Sequence, residues 1–155
     1  MPTVESQVLV QAPLPRVYAL ARDIERFPEF MEDVQEVQIL ERSPERQVSR
    51  WVGALRELHR TITWTEEDFW NDAEHTCRFH QLEGDFTSYG GGWEFRAEAE
   101  GTRASLQVEY EYVVPLVGAL IQKILRKKMQ ANCDAMLAAL KREAESGRGT
   151  ATPSR

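Results

Sequence analysis

The chain has 155 residues, a net charge of −6, and 42% apolar against 28% charged residues. That length suits one domain able to bury a core without disulfides or metal, and the negative balance argues against general affinity for nucleic acid. No apolar run approaches a membrane span, and Met1-Pro2-Thr3-Val4-Glu5 lacks the basic start and apolar stretch of a signal peptide, so a cytoplasmic location is expected.

Residues 3–11 alternate, with Val4, Ser6, Val8 and Val10 on one face, and read as a strand. Ala12-Pro13-Leu14-Pro15 breaks it, and Pro15 suits a first helical turn. Val17, Leu20, Ala21 and Ile24 then recur at helical spacing. A second short helix follows at about residues 25–32, punctuated by Pro28. From Val34 the period changes to two. Strands are expected at 34–41, 47–56, 58–68, 75–82, 88–99 and 102–113. Ser43-Pro44, Asn71-Asp72, Gly84-Asp85 and Glu100-Gly101 supply the turns between them. Short gaps imply consecutive hairpins, hence an antiparallel meander.

Pro115 ends the last strand. Val117, Leu120, Ile121, Ile124, Leu125, Met129, Cys133, Met136, Leu137 and Leu140 then mark a long amphipathic helix over about 116–144. The polar stretch from Ser146 reads as a disordered tail, leaving one domain over 1–145. The expectation is an α+β fold. Two short helices follow the first strand, and a curved antiparallel sheet of six to seven strands wraps a long C-terminal helix. One helix lying in a concave sheet tends to leave a cavity, because a cylinder does not fill a trough.

Taken together, several short motifs resemble a known family. They are Ala12-Pro13 with Val17-Tyr18, Asp23-Ile24-Glu25 with Phe27-Pro28, Gly84-Asp85-Phe86, Gly92-Trp93-Glu94-Phe95, Glu109-Tyr110-Glu111-Tyr112, and Ala131-Asn132. In order and spacing, over about residues 3–145, the chain resembles the START-like (helix-grip, SRPBCC) superfamily. The resemblance is to its polyketide cyclase/dehydrase and lipid-transport branch, which includes coenzyme-Q-binding proteins. It implies a deep cavity for a lipid, quinone, polyketide or other aromatic compound. Aromatase/cyclase members carry a mid-sheet arginine. The matching stretch here, Ile62-Thr63-Trp64-Thr65-Glu66-Glu67-Asp68, has three carboxylates and no arginine, although Arg50, Arg60 and Arg78 lie on other strand positions.

Trp51, Trp64, Phe79, Tyr89, Trp93, Tyr110 and Tyr112 fall on alternating strand positions, where ordinary core packing competes with a role in a cavity wall. With Phe86, and with Met129, Asn132, Cys133 and Met136 from the helix, they make up the expected ligand-binding set. Asn132 stands inside the apolar stripe, and an unpaired buried amide there costs about 1–3 kcal/mol, so backbone, water or ligand must satisfy it. Gly90-Gly91-Gly92 lacks a phosphate-loop signature and reads as a bend that curves the sheet. His75 and Cys77 share a strand face but do not complete a metal site, and His80 points away. Cys77 and Cys133 have no repeated spacing and read as reduced thiols. The run Glu66-Glu67-Asp68 reads as a solvated strand end, and Lys123, Arg126 and Lys127 as a solvated helix face.

No catalytic constellation stands out, and no metal or cofactor is expected. The leading function is a carrier or binding protein for a hydrophobic small molecule, with no DNA partner and no transmembrane segment. A polyketide or aromatic cyclase or dehydratase comes second. Ribosome association, resting on the basic helix face alone, comes third; transient membrane contact is compatible with the first.

Overall fold

The computed structural model describes residues 2–55, 59–112 and 118–146. The chain opens with β1 (Thr3–Val10) and α1 (Leu14–Arg22). A single 3-10 turn (Ile24–Arg26) leads into the short α2 (Phe27–Phe30). Six strands follow: β2 (Val34–Arg42), β3 (Arg46–Leu55), β4 (Arg60–Asn71), β5 (Thr76–Gly84), β6 (Ser88–Glu98) and β7 (Gly101–Glu111). The long helix α3 (Ala119–Ser146) closes the fold. Arg56-Glu57-Leu58, the strand end at Pro115 and the tail from Gly147 lie outside the described residues.

All seven strands form one antiparallel sheet in the order β1-β7-β6-β5-β4-β3-β2. The meander thus runs from β2 to β7, and β1 returns to pair with β7, Val4 opposite Val108 and Val10 opposite Thr102. The turns carry their chemistry in named atoms. The backbone N–H of Glu74 donates to Asn71 Oδ1 at 3.0 Å, closing the β4–β5 turn. Gly101 takes φ 152°, and a Cβ there would lie 2.1 Å from the Val10 carbonyl oxygen, so only glycine fits where β7 passes the end of β1.

Most expected boundaries shift by one or two residues, and the helix expected over 25–32 is a 3-10 turn followed by the four-residue α2; two shifts bear on the site. β4 continues to Asn71, beyond the expected end at 68, so Glu66, Glu67 and Asp68 lie inside a strand rather than at its end. β5 begins at Thr76, and His75 belongs to the preceding turn with φ 57°. His75 packs edge-on against Tyr18 at 4.9 Å and does not share a strand face with Cys77. No group of three or more His, Cys, Asp or Glu suited to a metal occurs among the described residues.

α3 buries Leu125, Met129, Cys133, Leu137, Leu140 and Ala144. These positions recur every three or four residues, so one stripe faces the sheet. A buried leucine contributes roughly 1.5–3 kcal/mol, which orients the helix more strongly than its propensity does. Gly118 precedes its first turn, and the Ile121 and Gln122 N–H groups donate to the Gly118 carbonyl. Polar contacts then fix α3 along β1. Ser6 Oγ donates to Asp134 Oδ1 at 2.6 Å, Gln130 Nε2 to the Glu5 carbonyl at 2.8 Å, and Lys141 Nζ to the Leu9 carbonyl at 2.9 Å. Near its C-terminal end the buried Glu143 accepts from Arg26 Nη2 at 2.8 Å. No described helix is long and apolar enough to cross a membrane.

Candidate ligand-binding cavity

The space between the sheet and α3 is not filled. β3, β4, β5, β6 and β7 line it from one side and α3 from the other, and it encloses about 90 Å³. Its wall is a chain of aromatic contacts. Trp51 and Trp64 stack with ring centres 5.7 Å apart, and Phe86 stacks on Tyr89 at 4.6 Å. Tyr89 also meets Trp64 at 5.2 Å and Phe79 at 5.7 Å. Trp93 lies parallel to Phe95. Each ring comes from an inward strand position except Phe86, which folds in from the β5–β6 turn.

Of the expected site residues, Trp51, Trp64, Phe79, Phe86, Tyr89, Trp93, Met129, Asn132, Cys133 and Met136 line this cavity. Tyr110 and Tyr112 do not. Both pack edge-on against Phe86, which fronts the cavity, and the Tyr112 hydroxyl accepts from Arg60 Nη1 at 2.8 Å. Strand periodicity puts these two phenols on the inner face, but it does not show that a turn residue will fold over them. Trp70, Leu106 and Val108 complete the wall, so every tryptophan in the chain faces it.

The acidic run does not end in solvent as expected: two of its three carboxyls face the cavity. β4 alternates without interruption, so Ile62, Trp64, Glu66, Asp68 and Trp70 all face inward. Glu67 points outward to Arg46 and to His80 Nε2 at 3.1 Å. Glu66 is 5% exposed and Asp68 2%, and both line the cavity instead of meeting solvent. Glu66 Oε1 accepts from Trp64 Nε1 at 2.8 Å. Burial first, then the charge of Asp68, holds the Glu66 carboxyl well above its ordinary range. Burial also raises Asp68, although a hydrogen bond from Glu66 offsets part of that rise. Both shifts run the same way, and Glu66, the more strongly raised, is the member of the pair that favours its protonated form.

The thiols and the phenol of the cavity wall are not activated. Burial raises both thiols, Cys133 to about 12, so neither is an activated nucleophile. Burial, then Glu66, keeps the Tyr89 phenol neutral. No arginine among the described residues lines the cavity, and Arg50 and Arg60 lie outside it with Arg78.

Asn132 faces the cavity from α3. Asn132→Leu is therefore expected to leave the melting temperature unchanged or slightly raised, since leucine is the better helix former by a few tenths of a kcal/mol. Ligands with polar groups should weaken while plain hydrocarbons hold. A thermal melt paired with a binding series on both proteins checks this. A lower melting temperature with unaltered ligand preference would assign Asn132 a structural role instead.

These features define a helix-grip fold, with a cavity between its curved sheet and its last helix. The chain belongs to the polyketide cyclase / dehydrase and lipid transport family, whose model matches residues 10–137. It is 34% identical over 135 residues to the actinorhodin polyketide synthase bifunctional cyclase/dehydratase of Streptomyces coelicolor. That match covers 84% of this chain but only 40% of the length of the Streptomyces protein. The crystal structure of TTHA0849 from Thermus thermophilus superposes with a TM-score of 0.89 at 35% identity, covering 95% of this chain and 99% of that one. The Zhui aromatase/cyclase from a Streptomyces species shares the fold, with a TM-score of 0.85 at 24% identity, covering 97% of this chain and 98% of that one.

Proposed function

We propose that this protein binds a hydrophobic small molecule in the cavity between the sheet and α3, with an aromatic, quinone or polyketide skeleton favoured over a plain lipid chain. One observation carries the reading: a cavity between sheet and helix walled by stacked aromatic rings, which suits flat ring systems. A bicyclic ligand exceeds the 90 Å³ present, so wall side chains must give way. Trp64, Tyr89 and Met136, partly rather than fully buried, are the wall residues best placed to do so. The unit responsible is taken as one START-like domain over 1–145, without resident cofactor or metal. A cytoplasmic location belongs to the same reading, supported by two buried, unpaired cysteines.

Titrating a short-chain quinone such as ubiquinone-1 should quench the tryptophan emission, because all four indoles line the cavity. Trp93→Phe should lower the response without abolishing it. A response identical in Trp93→Phe would place that ring outside the site, and the absence of any saturable quenching would remove the cavity reading itself.

The second reading is chemistry on the bound molecule, as a polyketide cyclase or dehydratase. Two observations favour it: the name carried by the Streptomyces coelicolor relative, and a buried acid and base side by side in Glu66 and Asp68. Such a pair can give and take a proton within one enclosed site. Turnover of a poly-β-keto substrate, lost in Asp68→Asn, separates this reading from a carrier. The exposed Lys123, Arg126 and Lys127 fit a solvated face equally well and select no macromolecular partner.

A further inference from the structure

β4 carries two unsatisfied polar atoms on cavity-lining residues. Asp68 Oδ1 and Trp70 Nε1 are both buried, and neither has a hydrogen-bond partner in the protein. Their residues sit two apart on the same strand face, so their Cβ atoms stand on the same side of the pleat. One is a carboxyl oxygen, an acceptor; the other is an indole N–H, a donor. A buried polar group left without a partner is destabilising, and here two complementary ones sit on residues that line the same cavity. Gln47 lies opposite Asp68 on β3, but its Nε2 also lacks a partner, so it does not satisfy the carboxylate. Glu66 is a hydrogen-bond partner of the Asp68 carboxyl and itself accepts from Trp64 Nε1. Asp68 Oδ1 is thus left as an unpaired acceptor on a residue of the cavity wall.

We infer that Asp68 Oδ1 and Trp70 Nε1 together form the polar anchor of the cavity, and that the ligand it takes is an uncharged, hydroxyl-bearing aromatic or polyketide-type molecule. A hydroxyl donates one proton and accepts at its oxygen, so it satisfies both atoms at once. A ketone can accept from Trp70 but gives nothing to Asp68. A carboxylate accepts from Trp70 while placing its charge against Asp68 in a poorly solvated site, where repulsion is strong. Fatty acids and other anionic lipids are therefore refused, although the wall is apolar enough to hold their chains. The inference rests on the reading of this cavity as a small-molecule site.

The test uses three probes with one ring system: naphthalene, 2-naphthol and 2-naphthoate, titrated at pH 7 by calorimetry against the full chain. 2-Naphthol should bind at least tenfold more tightly than naphthalene, as expected for a hydrogen bond to a charged group. 2-Naphthoate should bind at least tenfold more weakly than 2-naphthol. In Asp68→Asn the naphthol advantage should shrink several-fold and the naphthoate handicap should ease. Glu66→Gln keeps a donor toward Asp68 and should retain the ranking. If the three probes bind the wild type equally, or naphthoate binds best, the anchor is disproved while the cavity reading stands. If none binds, the cavity reading fails and takes this inference with it. The wild-type ranking decides the matter even if Asp68→Asn does not fold.

Discussion

At neutral pH, Glu66→Gln is expected to melt above the wild type, by roughly 3–10 °C if the gain is about 1–3 kcal/mol. Glutamine has the same shape, and its amide oxygen can still accept from Trp64 Nε1 while its NH₂ donates to Asp68. The substitution therefore removes the titration and little else. The direction follows from the raised carboxyl. Folding holds the Glu66 proton more tightly than the unfolded chain does, where its ordinary value is 4.5. Its contribution to stability is therefore complete below that value and is lost as pH rises through the raised one. Wild type and variant should melt together near pH 4 and diverge as the pH climbs. Asp68, also raised by burial, adds a slope of the same sign to both proteins. A set of melts between pH 4 and pH 8 measures the divergence. Parallel curves would mean that Glu66 is hydrated in the folded protein, and the charge argument for the cavity would lose its basis.

Gly91→Ala is expected to act in the opposite direction and at least as strongly. A Cβ built on Gly91 lies 1.9 Å from the Gln107 carbonyl oxygen and 3.0 Å from Phe79 Cζ. The first neighbour is backbone of β7, paired with β6 along its length, so it cannot turn aside as a side chain would. Relief requires β6 and β7 to separate locally, at a cost of about 3 kcal/mol or more. The melting temperature should fall by roughly 6–12 °C. Gly53→Ala is the control, because its nearest contact, Trp64 Cζ3 at 3.5 Å, is ordinary packing. A Gly91→Ala protein that melts with the wild type would show that β6 can shift away from β7 at little cost.

The glycine case also shows what the sequence made legible. Three glycines in a strand between aromatic positions announce a place where the chain cannot tolerate side chains, and the reading of a bend followed. The strand and helix periods were equally plain. Alternation from Val34 and the three-and-four stripe of α3 follow from which face each element must bury, and burial is the strongest force acting on either. Two kinds of information were less accessible. Strand ends depend on turn geometry: stopping β4 at Asp68 instead of Asn71 made an interior carboxylate look like a surface one. The alternation itself held the correction, since Glu66 and Asp68 are in phase with Trp64 and Trp70. Polarity argued for solvent, phase argued for the cavity, and phase won because the strand continues. The placement of Phe86 was harder still. It lies in a turn, has no period, and covers Tyr110 and Tyr112 through a tertiary contact that no local pattern encodes.

The irregularity between β4 and β5 bears on how the cavity keeps its charge. Thr65 pairs with Glu83 and Glu66 with Gln81, so Leu82 is the extra residue, and it sits half exposed on β5. The bulge falls on β5, and β4 passes it without losing step. Three consecutive acids on β4 are sorted by odd and even position, and a slip of one residue would exchange Glu67 for Glu66 and Asp68 inside the protein. The interior charge is therefore a matter of parity. By taking up the mismatch on its neighbour, the sheet lets β5 vary in length while the count along β4 stays fixed.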